Sequence, residues 1–575
     1  MSRKRQREKA PPKKDPENNG VVPVESKRQF SQWSKAVVVF LLLALFASLS
    51  TWEMLGDSAT SDERVHLPAG YAYWIKREFR LNPEHPPLVK LLASAPLLAM
   101  NLRIPPTEPQ SQEARTNESK AFNSYQETFG SEFLFTQDAD RLLFWGRLPM
   151  VGLGLLLAFF VFWWSWKIHG DFRAGILSLF LTVLEPNILA HSHYVTTDVP
   201  VAGFSVMAML FLWSFSQQGT VLHLFLASLG LGLALASKSS AIFLVPVFFF
   251  LLFFRWPAKG WVSLSFLKTP NSMGTRTLAA VFATFVILIV VQASYFFSPD
   301  LLLYFKGLQS VNANHIPDFK TYIHGNFFSG GVWWYPLYTW LLKTPLPTMI
   351  SIILAGIFYL KTGKRTPKGL WFVLLPAAIY TLAVCAFADN LGVRYMIPTS
   401  VFVLVMAGGS LSIFTASQKT KTLGAILALW LVVSVLRVSP YYIAYFNELI
   451  GGPQNAPYYL DDSNIDWGQD LRRLMAYLEK HEIRQVNLLY WGPTPPTYYD
   501  SRYKVRSLPW TDDVGKNSVP PPGLYAISVN YLTGFKRAIY ALEAGPPYMD
   551  WLARYTPTDR IGYSIYIYKF PQEPK

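Results

Sequence analysis

"AVVVFLLLALFASL", residues 36–49, carries no charge and is apolar all round a helix. An amphipathic surface helix would instead show a polar face opposite its apolar stripe. With its flanks the run covers about 36–53, and a bilayer takes roughly 17–25 apolar residues to cross. Ten further blocks follow at about 143–166, 173–190, 199–216, 221–237, 240–255, 277–297, 337–360, 370–388, 395–415 and 422–440. Helices bond their own backbone polar groups, which makes them the default spanning element. The sequence therefore predicts a polytopic α-helical membrane protein with about eleven transmembrane helices. Composition agrees. The 575 residues are 51% hydrophobic and 16% aromatic, and only 15% are charged, where a soluble domain has roughly a quarter.

Basic residues set the orientation. The leading "MSRKRQREKAPPKK" (residues 1–14), "WKIHGDFR" (166–173), "RWPAKGW" (255–261), "LKTPNSMGTR" (267–276), "KTGKRTPKG" (361–369) and "SQKTKT" (417–422) all fall on one side. Positive loops stay in the cytoplasm, so the N-terminus is expected inside and the C-terminus outside. The formal charge of +15 is mostly this signal, with attraction to anionic membrane lipid added. No reader motif accompanies the basic tail at 1–35, which is expected to be disordered and not to bind nucleic acid. The first span is long for a signal-peptide core and is read as retained. The single Cys385 can form no internal disulfide.

Three regions then face outward: loops at about 54–142 and 298–336, and a tail from 441 to 575. In the first loop, "PPLVKLLASAPLLAMN" (86–101) is too short to cross and reads as an interfacial helix opened by two prolines. In the tail, "DWGQDLRRLMAYLEKH" (466–481) has helical spacing, with Leu471, Leu474, Met475 and Leu478 on one face. "QVNLLYWG" (485–492), "GLYAISVN" (523–530) and "IGYSIYIYKF" (561–570) read as strands. A small extracytoplasmic α/β domain is expected there. The glycines of "LGLGLALAS" (229–237) lie within a span with no preceding strand, so they make no nucleotide fingerprint.

Ionisable residues gather at the outer ends of the spans, where burying charge is costly and often functional. Asp62 and Glu63, in "SATSDERVH" (58–66), follow the first span. They suit a general base and a neighbour that binds an acceptor, or else a solvated loop, or Ser61 and Asp62 capping a short helix. In "EHPPLVK" (84–90) the prolines start a helix, but that turn needs neither Glu84 nor His85; Lys90 could meet a lipid phosphate or snorkel. In "HSHYVTTDVP" (191–200), Asp198 stands where a helix begins, with His191 and His193 near. A two-histidine, one-aspartate metal site there is conceivable, but the spacing does not single it out. Lys238 in "ASKSSA" (236–241) and Arg394 in "DNLGVRYMIP" (389–398) lie at outer ends against the positive-inside tendency. The planar fork of Arg394 matches phosphate oxygens. The aromatics of "GGVWWYPLYTWLLK" (330–343) suit an interface belt better than a sugar platform.

These residues carry a resemblance to the GT-C-fold membrane glycosyltransferases. More narrowly, the chain resembles glycosyltransferase family 39, the group of protein O-mannosyltransferases and the lipid A aminoarabinose transferase. Its marks are "DERVH" (62–66), "EHPPLVK" (84–90) and "TTDVP" (196–200), with "GVRYMIP" (392–398) similar to an element of the bacterial members. Val89 stands where the family's HPPLGK-like element has glycine. The likeness covers about 36–440. The tail segment "YFNELIGGPQNAPYYLDDSNIDWGQDL" (445–471) is similar to one in bacterial members, and nothing here matches the β-trefoil insert of the eukaryotic enzymes, so the resemblance implies a bacterial inner membrane.

The resemblance implies a polyprenyl-phosphate sugar donor and a lipid, glycan or protein acceptor, with transfer inverting the anomeric centre. It makes Asp62 the general base and Glu63 its acceptor-binding neighbour, with Glu84, His85 and Asp198 lining the same cavity. Arg394, Lys238 and Lys90 are the cations available to the leaving phosphate. It implies no metal and no cofactor. The other readings are a multi-pass lipid or sugar transporter or flippase, and a scaffold that presents the tail domain. Against transport, the chain shows neither repeated halves nor clear mid-span charges.

Overall fold

The leading run folds as one helix, Gln32–Gly56, capped by the Ser31 hydroxyl, which accepts the Ser34 N–H at 3.1 Å. The computed structural model describes residues 31–107, 120–257, 273–314, 320–362, 367–499, 504–507, 522–534 and 555–570. The basic tail up to residue 30 and the loop stretches 258–272 and 363–366 lie outside the described residues.

Every expected span corresponds to a helix or to a broken pair of helices, but their lengths differ. Six helices are long and apolar enough to cross a membrane: Gln32–Gly56, Ala139–His169, Asp198–Gln218, Met273–Ser294, Val393–Phe414 and Gln418–Leu436. The span expected at 337–360 is a pair, Tyr335–Lys343 and Leu346–Thr362, bent by 111°. Pro345 and Pro347 sit at that bend, and a proline disfavours helical backbone in the residue before it. The span expected at 173–190 is likewise broken. Phe172–Val183 ends before Pro186, which opens a separate turn, Pro186–His191. Val221–Ser237, Ser239–Phe254 and Trp371–Phe387 are also apolar but shorter. The chain is a multi-pass membrane protein with six such helices, seven with the bent pair counted, among the described residues.

The Asp198–Gln218 helix is central, with 83% of its most apolar stretch buried, against 28% and 22% for the first and last of the six. Close approach depends on small residues, as in other membrane bundles. A Cβ on Gly230 would stand 2.7 Å from the Ala208 backbone nitrogen. The glycines of "LGLGLALAS" therefore serve helix packing.

After the last long helix the chain enters a run of short 3-10 turns from Tyr442 to Asn464 and then the helix Leu471–Lys480. In the second loop a hairpin, β1 (Lys320–Ile323) and β2 (Asn326–Ser329), turns through His324 and Gly325, both at positive φ. Such left-handed pairs match the twist of two-residue hairpins. The tail forms β3 (Gln485–Leu489), β4 (Lys504–Ser507), β5 (Gly523–Ser528), β6 (Asp559–Ile561) and β7 (Ile565–Phe570) in the order β4-β3-β5-β7-β6. β3 runs parallel to β4 and β5, and β7 antiparallel to β5 and β6. Leu471, Leu474, Met475 and Leu478 pack against this sheet on Val486, Leu488, Ala526 and Ile567. β4 is a strand that the sequence pattern did not announce.

Candidate active site

Asp62 and Glu63 sit in the first turn of the helix Ser61–Lys76. Thr60, rather than Ser61 or Asp62, is the cap. Its N–H and hydroxyl both donate to Glu63 Oε2, at 3.0 and 3.1 Å. The two carboxylates then diverge. Glu63 turns inward, fully buried, and forks onto Arg147, whose Nε and Nη2 donate at 2.8 and 2.7 Å. Its Oε1 also accepts the Val195 N–H at 3.2 Å. A carboxylate has about four lone-pair sites, and these are spent. The acceptor-binding role expected of Glu63 does not suit this placement, because the group has neither surface nor spare valence. Arg147 uses its remaining N–H groups on the carbonyls of Met54, Asp57 and Ser58 at 2.8–3.1 Å. One buried ion pair thus fixes the link between the first helix and the helix that carries Asp62.

Asp62 turns the other way and stays partly exposed. Its Oδ2 accepts from Arg394 Nη1 at 2.6 Å, with side chains 26% and 11% exposed respectively.

The "EHPPLVK" element folds as the helix Leu88–Ser94, running on into a 3-10 turn. It was expected to lie along the membrane surface, yet Val89, Lys90, Leu91, Ala93 and Leu97 are buried in the protein. Gly70 allows the contact, since a Cβ there would stand 2.1 Å from the Lys90 carbonyl oxygen. Lys90 itself points inward, donating to the carbonyls of Asn82 (2.5 Å) and His85 (2.7 Å) and to the Tyr73 hydroxyl (3.3 Å). Burial lowers its pKa from 10.5 to about 7. Its three donors are thus spent on the turn from Asn82 to His85 and on Tyr73. His85 lies 5.7 Å from His66, ring to ring. Burial first, then the nearby Lys238, His66, Lys90 and Arg394, hold His85 well below the usual imidazole range. The Glu84 carbonyl accepts the Ser239 hydroxyl at 3.1 Å, tying this turn to the residue after Lys238.

Asp198 opens the central helix and pairs with Lys238, Nζ to Oδ1 at 2.6 Å. The Lys238 ammonium is therefore held inside the protein. Its ammonium also lies 4.6 Å from the centre of the Tyr395 ring, and the same ring carries Arg394 at 5.5 Å. Gly392, at φ +110°, shapes the turn before Arg394, where the Val393 N–H donates to Asn464 Oδ1 at 3.0 Å. The chain of contacts Asp62–Arg394–Tyr395–Lys238–Asp198 joins the first loop to the central helix, and Arg394 interacts electrostatically with both aspartates. His85 borders this cluster from the Lys90 side. The two acids and two cations can hold an anionic group beside a carboxylate.

Sequence reasoning missed the contribution of the segment after the last long helix. Trp467 lies under the Arg394 guanidinium at 4.5 Å and meets the His191 and Tyr194 rings at 5.6 and 5.8 Å. Asp462 is buried in the same segment, near enough to Arg394 and Asp62 to feel both charges. The segment is bolted to the end of the first helix. Ser58 donates to the carbonyls of Gly468 and Gln469 at 2.9 and 2.8 Å, while Arg473 bridges Asp57 and Asp470. Asp57 also accepts from Tyr194 at 2.5 Å and lies 3.0 Å from His193 Nε2. His193 thus faces Asp57 while Asp198 faces Lys238, so the conceivable metal triad does not assemble. Among the described residues no group of three or more His, Cys, Asp or Glu could hold a metal. The dense acidic spelling "LDDSNIDWGQD" (460–470) was the available signal.

Comparison with solved structures gives ArnT from Cupriavidus metallidurans bound to undecaprenyl phosphate, at TM-score 0.47 and 11% identity, covering 94% of this chain and 98% of that one. The archaeal oligosaccharyltransferase AglB from Archaeoglobus fulgidus, with an inhibitory peptide and a dolichol-phosphate, gives 0.44 and 13%, over 84% and 62%. The S. cerevisiae protein O-mannosyltransferase Pmt1-Pmt2 complex bound to the sugar donor gives 0.31 and 15%, over 53% and 41%. No curated protein matches the chain. Residues 121–305 match the family model of dolichyl-phosphate-mannose-protein mannosyltransferase, an interval that holds "TTDVP" and Lys238 but not "DERVH" or "EHPPLVK". Over residues 121–305 the chain is thus similar in sequence to that family, in agreement with the resemblance read from "TTDVP".

Proposed function

We propose that the chain transfers a sugar from a polyprenyl-phosphate donor to the hydroxyl of an acceptor on the extracytoplasmic side of a membrane, inverting the anomeric centre. The observation that carries this reading is Asp62, a partly exposed carboxylate held on Arg394 beside the Asp198–Lys238 pair. The family match over residues 121–305 supports it. Asp62 takes the proton of the acceptor hydroxyl. The acceptor oxygen forms its bond to the anomeric carbon as the bond from that carbon to the phosphate oxygen breaks, and polyprenyl phosphate leaves with the electron pair.

Phosphate is already a good leaving group, so the site's work is placement of the base and stabilisation of the departing charge. Arg394 and Lys238 supply positive charge, each presently balanced by an aspartate. Arriving donor phosphate competes with Asp62 for Arg394, which releases the Oδ2 lone pair to accept a proton. His85, neutral in this setting, is a hydrogen-bonding neighbour for the phosphate. Glu63 and Lys90 act at one remove, by fixing the two helices.

One feature favours the transporter reading: the 111° break between Lys343 and Leu346, since broken helices line many transport sites. The experiment that separates the two uses protein in nanodiscs with a panel of labelled undecaprenyl-phosphate sugars and candidate lipid, glycan and protein acceptors. Release of undecaprenyl phosphate with an inverted linkage in the product is expected. In proteoliposomes, movement of intact donor between leaflets without release would overturn the proposal.

A further inference from the structure

The last long helix, Gln418–Leu436, is loosely held, with 22% of its most apolar stretch buried. One of its faces nevertheless bounds a groove of about 250 Å³. Lys421, Gly424, Leu427, Ala428 and Leu431 line that wall, and their spacing places them on one side of a helix. Leu177, Phe180 and Leu181 of the helix Phe172–Val183 face them, and Pro347 and Ser351 of Leu346–Thr362 close the groove. The lining is apolar in effect. The Ser351 hydroxyl donates to the Pro347 carbonyl at 2.8 Å, and the Thr415 hydroxyl to that of Leu411 at 2.9 Å, so both protons are spent within the wall. Lys421 is the exception. It is exposed and makes no ion pair among the described residues.

The end of the molecule that holds Lys421 is strongly basic. The Tyr359 hydroxyl meets His169 and donates to the Met406 carbonyl, which gathers the loops 166–173, 361–369 and 417–422 at one end. Those loops contain a single acid, Asp171, which pairs with Arg173 at 2.9 Å. From Lys421 to Leu431 the helix rises about 15 Å at 1.5 Å per residue, roughly half the hydrocarbon thickness of a bilayer. The groove is thus a cation at the membrane surface above an apolar channel one leaflet deep.

We propose that this groove binds an anionic phospholipid of the leaflet that the basic loops face, with the lipid phosphate on Lys421 and one acyl chain along Phe180, Leu181, Leu427 and Leu431. None of the residues around Asp62 and Arg394 lines it, so it is a second lipid site, independent of the transfer reaction. Its walls belong to both broken spans, one ending before Pro186 and the other bent at Pro345–Pro347. A bound chain therefore braces the loosely held last helix against them.

The test uses the full-length protein in nanodiscs of mixed phosphatidylglycerol and phosphatidylcholine, with native mass spectrometry to count the lipids that stay bound on extraction. The native chain is expected to retain phosphatidylglycerol over phosphatidylcholine. Lys421→Glu should cut that retention by about fivefold or more. Lys419→Glu makes the same charge change on the other side of the helix, outside the groove, and should alter it little. Ala428→Phe fills the groove without changing charge and should lower retention as far as Lys421→Glu does. Phosphatidylglycerol with a photoreactive group midway along its chain should label the peptides holding Phe180 and Leu427 in the native protein, a readout that depends on no variant. Equal losses in Lys419→Glu and Lys421→Glu would mean general attraction to a basic surface and would overturn the site. So would labels confined to other helices, native retention in Ala428→Phe, or phosphatidylcholine retained as well as phosphatidylglycerol.

Discussion

Replacing Arg147 by alanine removes all five N–H donors from one guanidinium. Two of them fork onto Glu63 at 2.7–2.8 Å, and three reach the carbonyls of Met54, Asp57 and Ser58. The Glu63 carboxylate, fully buried, would keep only the Thr60 and Val195 donors. Stranding one partner of a buried pair costs about 3–5 kcal/mol. The carbonyl bonds are not added to that figure, because losses within one network are not additive. If the loss falls on the unfolding barrier, the half-life at a fixed elevated temperature shortens by roughly two orders of magnitude or more. Tryptophan fluorescence follows the decay, and the chain has 19 tryptophans. Glu63→Gln is expected to lose a comparable part, whereas the paired change Glu63→Met with Arg147→Met should recover much of either single loss. Single and double changes that simply add would refute the claim that the two act as one unit. A Glu63→Gln protein of native stability but impaired acceptor KM would restore Glu63 to the acceptor site.

Other consequences are equally direct. Gly70→Ala puts a Cβ 2.1 Å from the Lys90 carbonyl oxygen, so a thermal melt should show a loss of about 1–3 kcal/mol. Gly152→Ala, with nothing within 4 Å of its Cβ, should be neutral or slightly stabilising in the same melt. Lys90 binds fewer protons folded than unfolded, its pKa falling from 10.5 to about 7. Its contribution to stability should therefore rise with pH between about 7 and 10, by up to about 1.4 kcal/mol per unit. Stability measured across that range should show the slope in the native chain and not in Lys90→Met. Arg473→Ala unpairs buried Asp57 and Asp470, and limited proteolysis should then cut within 441–470 far faster than in the native chain.

The spans were legible because apolar runs announce themselves locally. The breaks at Pro186 and at Pro345–Pro347 were not read, because the apolar pattern runs straight through these prolines and hides them. Asp62, Asp198, Lys238 and Arg394 could be nominated from their places at span ends, and the structure brings them into one cluster. Their pairing could not be read, since Asp62 and Arg394 are 332 residues apart and Glu63 and Arg147 are 84 apart. The adjacent carboxylates of one dipeptide look alike in sequence. Successive residues of a helix point in different directions, and that alone sends Glu63 into the protein and leaves Asp62 in the open cluster. Asp462 and Trp467 were hidden for another reason. Asp462 opens a short 3-10 turn and Trp467 lies in the bend that follows, neither with any periodicity, and the docking of Ser58 on Gly468 and Gln469 and of Arg473 on Asp57 carries them over the site.

Turnover by Asp62→Asn tests the central claim most directly, measured as undecaprenyl phosphate released from a labelled donor by protein whose donor binding is measured alongside. The account predicts unchanged or tighter binding of donor, because Arg394 is no longer held by a carboxylate. It predicts a fall in turnover of about 10²–10⁴-fold, the usual contribution of a positioned base. Turnover within a few-fold of native, with donor bound normally, would contradict it.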